Sequence, residues 1–184
     1  MKNSSAYIKN MVYIALFTAI AAVLSQIALP LPTNVPITLQ TFAVALTGFF
    51  LGWKNGTAAL VVYVLLGAVG APVFSGFKGG LGVLTGYTGG FIIGFVLMAA
   101  VCGIAVKLFK PQELKGKLLI NLIGIAGLLL DHIIGVVWYS AVAEINLAKS
   151  FLVVSVPFLA KDIISVIAAY LISEELIKRL RFKN

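Results

Sequence analysis

Six apolar stretches, separated by short polar segments, make up most of this chain of 184 residues. They cover residues 11–31, 37–53, 57–73, 89–108, 118–139 and 156–177. A helix needs about 20 apolar residues to cross the hydrocarbon core of a bilayer, and only the second and third stretches are shorter than that. The pattern predicts a single all-α integral membrane domain, residues 1–184, with six transmembrane helices and a tight turn at residues 53–56.

The first stretch also resembles a cleaved signal peptide, because Lys2 and Lys9 precede the apolar run. A cleavage site would fall near residues 19–21. The apolar run continues well beyond that point, and five more stretches follow. We therefore expect it to remain as the first helix.

The composition agrees with a membrane protein. Hydrophobic residues make up 61% of the chain and charged residues 11%, whereas about a quarter of a soluble domain is charged. The chain has one cysteine, Cys102, and one histidine, His132. These counts exclude a disulfide within the chain and argue against a cysteine-based or histidine-based metal site. We expect no resident cofactor.

The formal net charge of +8 predicts the orientation of the chain. With the N-terminus inside, the six predicted helices leave eleven basic residues on the inner side and only Lys78 and Lys149 in the outer loops. The inner residues are Lys2, Lys9, Lys54, Lys107, Lys110, Lys115, Lys117, Lys178, Arg179, Arg181 and Lys183. The positive-inside rule then places both termini in the cytoplasm. Scattered basic residues of this kind do not form a nucleic-acid-binding face, and the tail at 177–183 is expected to lie against anionic lipid.

A glycine-rich segment at residues 72–91, PVFSGFKGGLGVLTGYTGGF, falls in an outer loop of this topology. Its seven glycines permit turns and close backbone approach, and its interleaved apolar residues argue against a loose solvated linker. We expect a folded loop that forms part of a ligand pocket. Its candidate ligand-binding residues are Gly76, Lys78, Gly79, Gly80, Tyr87 and Thr88.

Ionisable residues at membrane depth are costly and are therefore candidates for function. Lys161 and Asp162 begin the last helix, where they would bind a ligand or form a structural ion pair. Asp131 and His132 lie within the fifth helix, either hydrogen-bonded to neighbouring helices or acting as a proton relay.

Three further residues at the outer ends of helices are candidates. Gln40 and Thr41 open the second predicted helix and offer an amide and a hydroxyl to a small ligand. Trp138 lies near the outer end of the fifth, as a wall of the pocket or as part of the interfacial aromatic belt.

The chain contains no phosphate-binding loop, no His-Glu-x-x-His and no Gly-x-Ser-x-Gly sequence. No nucleotide site or catalytic residue is therefore predicted. A membrane protein with an outer pocket and no energy source of its own uses an ion gradient or depends on partner subunits.

Three segments resemble a known family: VPITLQTFAVALTGFFLG (35–52), LLGAVGAPVFSGFKGGLGVLTGYTGGFIIGF (65–95) and PFLAKDIIS (157–165). The chain is similar to the biotin-specific substrate-binding subunit, the S component or BioY family, of energy-coupling factor (ECF) transporters. The resemblance extends over nearly the whole chain. It implies a six-helix S-component fold in the bacterial plasma membrane, with a biotin site that opens to the outside, is roofed by outer loops and is lined by helices four to six.

The same resemblance implies the partners. A face of small residues on the first helix, Ala15, Ala19 and Ala22, would dock onto a transmembrane coupling subunit that carries two ATPases. Asp162 would accept hydrogen bonds from the ureido N–H groups of biotin, and Gln40, Thr41 or Lys161 would donate to its carbonyl. The biotin carboxylate would meet Lys78 or backbone N–H groups of the glycine-rich loop.

One departure from the family pattern concerns the lysine of the last helix. The family carries Pro-Gly-Asp with a lysine three residues after the aspartate. Here Lys161 precedes Asp162 and residue 165 is a serine, so the lysine would act from a different helical face.

Alternatives to a biotin S component remain open at the level of the sequence. They are an S component for another small vitamin, a gradient-driven permease that works alone, and an intramembrane enzyme that uses Asp131 and His132 as an acid–base pair.

Overall fold

A computed structural model of the chain describes residues 2–109 and 111–180. This part of the chain contains seven helices and one pair of two-residue strands. In chain order they are α1 (Lys2–Ser25), β1 (Ala28–Leu29), β2 (Ile37–Thr38), α2 (Gln40–Ala68), α3 (Leu81–Thr85), α4 (Gly89–Leu108), α5 (Leu114–Val142), α6 (Leu147–Val154) and α7 (Val156–Leu180). Lys110, Arg181 and Lys183, used above for the orientation, lie outside the described residues, as does the end of the predicted basic tail.

Five of the described helices, α1, α2, α4, α5 and α7, are long and apolar enough to cross a membrane. In the apolar 18-residue window of each of these helices, at most 44% of the residues are buried within the described chain. Large apolar side chains such as Val23, Leu65 and Leu122 are exposed on the outer surface. Apolar surface on this scale is expected of helices that face lipid.

The limits of the helices follow the apolar pattern except at the end of α1 and at the end of α2, which stops at Ala68 although the third stretch was predicted to reach residue 73. The fourth stretch, predicted at 89–108, forms α4 over the same residues, and α5 and α7 begin at or before their predicted starts and extend beyond their predicted ends. Helix α1 was expected to reach residue 31 but ends at Ser25. The Ser25 hydroxyl donates to the Val73 carbonyl at 2.6 Å, and the Gln26 amide donates to that of Phe74 at 3.2 Å. These bonds tie the end of α1 to the glycine-rich loop instead of continuing the helix.

Helix α2 folds back on itself at Gly52, where φ is 72° and ψ is 175°. Glycine adopts this conformation without steric cost. The two arms of α2, before and after Gly52, lie side by side. This is shown by a hydrogen bond between them, which Gln40 Nε2 donates to Tyr63 Oη at 3.0 Å. A Cβ at Gly56 would lie 3.0 Å from the Thr47 carbonyl oxygen. The second and third predicted stretches are therefore the two arms of one interrupted helix. The predicted turn at residues 53–56 is wrong in its place, because the reversal lies at Gly52 and those four residues are helical.

Glycines bring α2 and α4 into close contact. A side chain at Gly48 would collide with the backbone of Ala99, and one at Gly103 would collide with the backbone of Trp53. Small residues at such crossings allow helices to pack closely where lipid provides no hydrophobic driving force. Cys102 is fully buried at this contact.

Aromatic residues of α2 connect this centre to the flanking helices. Phe50 stacks on Phe17 of α1 with ring centroids 4.8 Å apart. Phe49 meets Tyr170 of α7 edge-on, with ring centroids 5.5 Å apart.

Helices α2, α4 and α7 begin at the end of the bundle where α1 and α5 finish. The candidate functional site lies at this end.

Candidate functional site

A cavity of about 690 Å³ lies at this end of the bundle. Its size is in the range of small-molecule sites. Its walls come from the segment between α1 and α2, the start of α2, the glycine-rich loop, the start of α4, the middle of α5, the end of α6 and the start of α7.

The segment between α1 and α2 forms one wall as a short antiparallel ladder. Ala28 pairs with Thr38, and Leu29 pairs with Ile37. The Tyr139 hydroxyl of α5 donates to the Thr33 carbonyl at 3.1 Å and holds the tip of this segment.

The glycine-rich loop forms a second wall and is folded throughout. Phe74 and Lys78 exchange backbone hydrogen bonds at 3.0 and 3.2 Å. The Phe74 ring is buried against Gly67, where a Cβ would collide with it. The Phe77 N–H donates to Gln26 Oε1 at 2.8 Å. The loop is therefore shaped by specific contacts, as predicted, and it is not a loose linker.

Charged residues cluster on the α7 wall. Lys161 forms an ion pair with Asp162 and also donates to the Thr38 carbonyl at 2.8 Å. His132 Nε2 lies 3.4 Å from Asp162 Oδ2, and His132 Nδ1 lies 2.8 Å from Ser155 Oγ. The Lys161–Asp162 pair thus connects α7 to β2, and His132 connects both to α5.

The polar residues at the start of α2 bind each other. Thr38 Oγ1 donates to Gln40 Oε1 at 2.9 Å, and Gln40 Nε2 donates to Tyr63. Both ends of the Gln40 amide are therefore used within the protein. Its side chain is held rigidly in the cavity wall, next to Thr41.

Asp131 and His132 both line the cavity, although they are consecutive on α5. His132 contacts Ser155 and Asp162 but forms no hydrogen bond with Asp131 in the described chain. His132 is therefore linked to Ser155 and to α7 rather than to its neighbour in sequence.

The structure brings most of the predicted ligand-binding residues together around the cavity. Those that line it are Asp162, Lys161, Gln40, Thr41, Gly76, Lys78, Tyr87 and Thr88.

Three predicted residues lie behind the lining. Gly79 packs against the backbone of Ala71, and the Gly80 N–H donates to the Gly67 carbonyl at 2.6 Å, so both glycines shape the loop. Trp138 Nε1 donates to the Gly86 carbonyl at 2.9 Å. It supports the loop from outside the cavity.

The lining also contains aromatic side chains that were not predicted from the sequence. Phe91 and Phe95 of α4, one helical turn apart, and Phe158 of α7 line the cavity. The four-residue spacing of Phe91 and Phe95, directly after the glycines, was the signal that could have identified them.

The predicted docking residues of α1 do not all face outward. Ala15 and Ala19 are exposed, whereas Ala22 is half-buried and packs against the core. Phe17 and Ala21 of the same helix point into the bundle. The outward small-residue face therefore contains Ala15 and Ala19 but not Ala22.

Comparison with known proteins identifies the family. The BioY family matches residues 1–182. The chain belongs to the BioY family. A BioY protein of Thermotoga maritima described as a biotin transporter is 40% identical over 170 residues, covering 92% of this chain and 96% of that protein. The probable biotin transporter BioY of Pyrococcus horikoshii is 36% identical over 168 residues, covering 91% and 96%.

A solved structure supports the same relationship. The crystal structure of the S component for biotin from an ECF-type ABC transporter matches this BioY chain with a TM-score of 0.82 and 27% sequence identity. The match covers 95% of this chain and 93% of that one. Its apolar helices and its relatives make this BioY chain a multi-pass protein of the plasma membrane.

Proposed function

We propose that this chain is the S component of an ECF transporter, which captures biotin from outside the cell in the cavity described above. The observation that supports this most directly is a vitamin-sized cavity with charged residues on one wall and aromatic residues on another. Membership of the BioY family and the similarity to the S component for biotin support biotin as the ligand. The proposed function requires no cofactor and no covalent chemistry.

Biotin combines polar and apolar parts that suit these walls. Its ureido group has two N–H donors and one carbonyl acceptor, and its ring sulfur and aliphatic chain are apolar. The ureido group would be bound by the carboxyl groups of Asp131 and Asp162 and by Lys161. The apolar surface of biotin would be covered by Phe91, Phe95 and Phe158. Lys78, which forms no ion pair with any described residue, would bind the carboxylate of the ligand.

We propose six membrane passages with both termini in the cytoplasm. The two arms of α2 would cross separately, because the chain reverses at Gly52. The excess of basic residues at the end opposite the cavity supports this orientation. The cavity would then open to the outside, where the vitamin is found.

The proposed partners are a transmembrane coupling subunit and two ATPases. The exposed Ala15 and Ala19 give α1 a narrow outward face, on which another helix can pack closely. ATP hydrolysis by the partners would supply the energy that this chain lacks.

Isothermal titration of the purified chain with biotin, in detergent and without ATP, tests the proposal. We expect tight, saturable binding. Asp162→Asn should weaken it by more than about tenfold, equivalent to about 1.4 kcal/mol, because Lys161 and His132 lose their shared anionic partner. Glu175→Gln is the matched control, since it makes the same chemical change at the far end of α7, where Glu175 pairs with Arg179.

Two results would count against the proposal. Failure of the unchanged chain to bind biotin would exclude the function itself. Equal affinities of the Asp162→Asn and Glu175→Gln proteins would remove Asp162 from the site.

A further inference from the structure

Asp131 is a buried carboxyl group that lacks a partner in the described chain. The residue is 2% exposed, and its Oδ1 atom forms no hydrogen bond with any described residue. None of the ion pairs among the described residues includes it. A buried polar group in this state costs free energy, so its presence at the wall of a cavity requires an explanation.

The other carboxylate of the cavity differs from Asp131 in having charged side chains beside it. Asp162 is held by Lys161 at Oδ1 and by His132 Nε2 at Oδ2. Both of its oxygens therefore face donors of the protein before any ligand arrives. Asp131, in contrast, has an oxygen atom, Oδ1, that can accept a hydrogen bond from a ligand.

The charges around the cavity point in the same direction. The Lys161 ammonium forms an ion pair with Asp162, and none of the ion pairs among the described residues includes Asp131. Asp131 Oδ1 therefore has no hydrogen-bond donor among the described residues. A ligand that brings an N–H group would provide one.

The neighbouring helix leaves room for Asp131. Gly94 of α4 packs directly against it, and a Cβ at that position would collide with Asp131 Oδ1. The carboxyl group is thus confined between two helices at the edge of the cavity. A confined acceptor is already oriented before a ligand binds.

We propose that Asp131 is the principal acceptor for a ligand N–H group, which in biotin is one of the two ureido N–H groups. This inference rests on the proposed function. In this arrangement the wall is formed before the ligand binds, by the contacts among Asp162, Lys161 and His132. Asp131 then accepts a hydrogen bond from the ligand N–H group. A carboxylate in this role would also favour a cationic donor over a neutral one.

The test compares Asp131→Asn with Glu174→Gln in the full chain by titration with biotin. Glu174 is the matched control because it pairs with Lys117 and Lys178, at the end of the bundle away from the cavity. We expect Asp131→Asn to weaken biotin binding by about tenfold to a hundredfold, because the amide replaces one carboxyl oxygen by an N–H donor that cannot accept from the ligand. The control should bind as the unchanged chain does. Unchanged or tighter binding by Asp131→Asn would overturn the assignment.

A second experiment uses biotin methylated on either ureido nitrogen and identifies which N–H group binds Asp131. If Asp131 accepts from one of these N–H groups, methylation there weakens binding to the unchanged chain strongly and to Asp131→Asn only slightly. Equal losses in both proteins would overturn the assignment. The guanidine analogue 2-iminobiotin should lose more affinity than biotin on the same substitution.

The controls keep the two levels of the proposal separate. If Asp131→Asn fails to fold, Gly94→Ala displaces the same carboxyl group without changing its charge, and unchanged biotin affinity in that variant would overturn the assignment. If the unchanged chain binds no biotin, the proposed function fails. If it binds biotin and neither variant weakens binding, only the role of Asp131 fails.

Discussion

At the scale of the residue, Lys161 joins two parts of the chain that are far apart in sequence. Its ammonium contacts the Asp162 carboxylate on α7 and the Thr38 carbonyl on β2. The lysine therefore neutralises a buried charge and also holds the segment between α1 and α2 against the last helix. Removing it would leave a buried carboxylate less compensated.

Lys161→Met keeps the aliphatic length of the side chain and removes the ammonium. We expect biotin affinity to fall by at least about tenfold, the loss associated with a hydrogen bond to a charged group. Lys149→Met is the control, because Lys149 lies exposed on α6 outside the cavity lining. Equal binding by the two variants, measured by titration in the same detergent, would contradict this role.

The site could be predicted from the sequence where its residues are chemically conspicuous. Lys161 and Asp162 stand out because charges are rare within apolar helices. The roles of the individual glycines in the glycine-rich loop were harder to predict, because a glycine that shapes a turn and one that faces a ligand look the same in the sequence. Gly76 lines the cavity, whereas Gly79 and Gly80 hold the loop from behind. Only the folded loop distinguishes them.

At the scale of the element, the reversal of α2 depends on glycine at two facing positions. Gly52 supplies the conformation of the turn, and Gly103 of α4 leaves space for the backbone of Trp53. The two arms and α4 thereby form the central packing unit. We expect this contact to be intolerant of any added side chain.

Gly103→Ala should destabilise the protein by about 1–3 kcal/mol, the usual cost of overpacking a tight contact. Gly82→Ala is the control, since no atom lies within 4 Å of a Cβ at this exposed position of α3. Thermal unfolding in one detergent, without ligand, compares the two variants with the unchanged chain. Similar midpoints for Gly103→Ala and Gly82→Ala would contradict the proposed packing.

The long helices could be predicted from apolar length, because the bilayer sets that length. The short elements could not. The eight residues of α6 and the two-residue strands β1 and β2 are too brief to leave a periodic pattern. The early end of α1 also escaped prediction, because it depends on the bonds of Ser25 and Gln26 to a loop almost fifty residues away.

At the scale of the whole molecule, the proposed ligand site and the proposed docking face are different surfaces. The cavity lies at one end of the bundle, while the exposed Ala15 and Ala19 lie along the side of α1 and are not part of its lining. A change on the outward face of α1 should therefore affect transport and leave binding intact. No sequence pattern alone separates these two surfaces, since small residues four apart are common in membrane helices.

Ala19→Trp should preserve biotin binding by the purified chain and reduce uptake severely, because the large ring blocks close approach of a partner helix. Uptake is measured in vesicles that contain this chain, the coupling subunit and both ATPases. Leu122→Trp is the control, since Leu122 is exposed on α5. Normal uptake by Ala19→Trp would contradict docking through this face. Uptake by the chain alone, abolished by an uncoupler, would favour a solitary permease.

The most direct test of the central claim is mass spectrometry of the small molecules released from the purified chain. Cells are grown with biotin, and the protein is solubilised, washed and denatured to release any bound ligand. We predict that biotin is released in amounts approaching one per chain. Release of a different vitamin, or of no small molecule at all, would contradict the account.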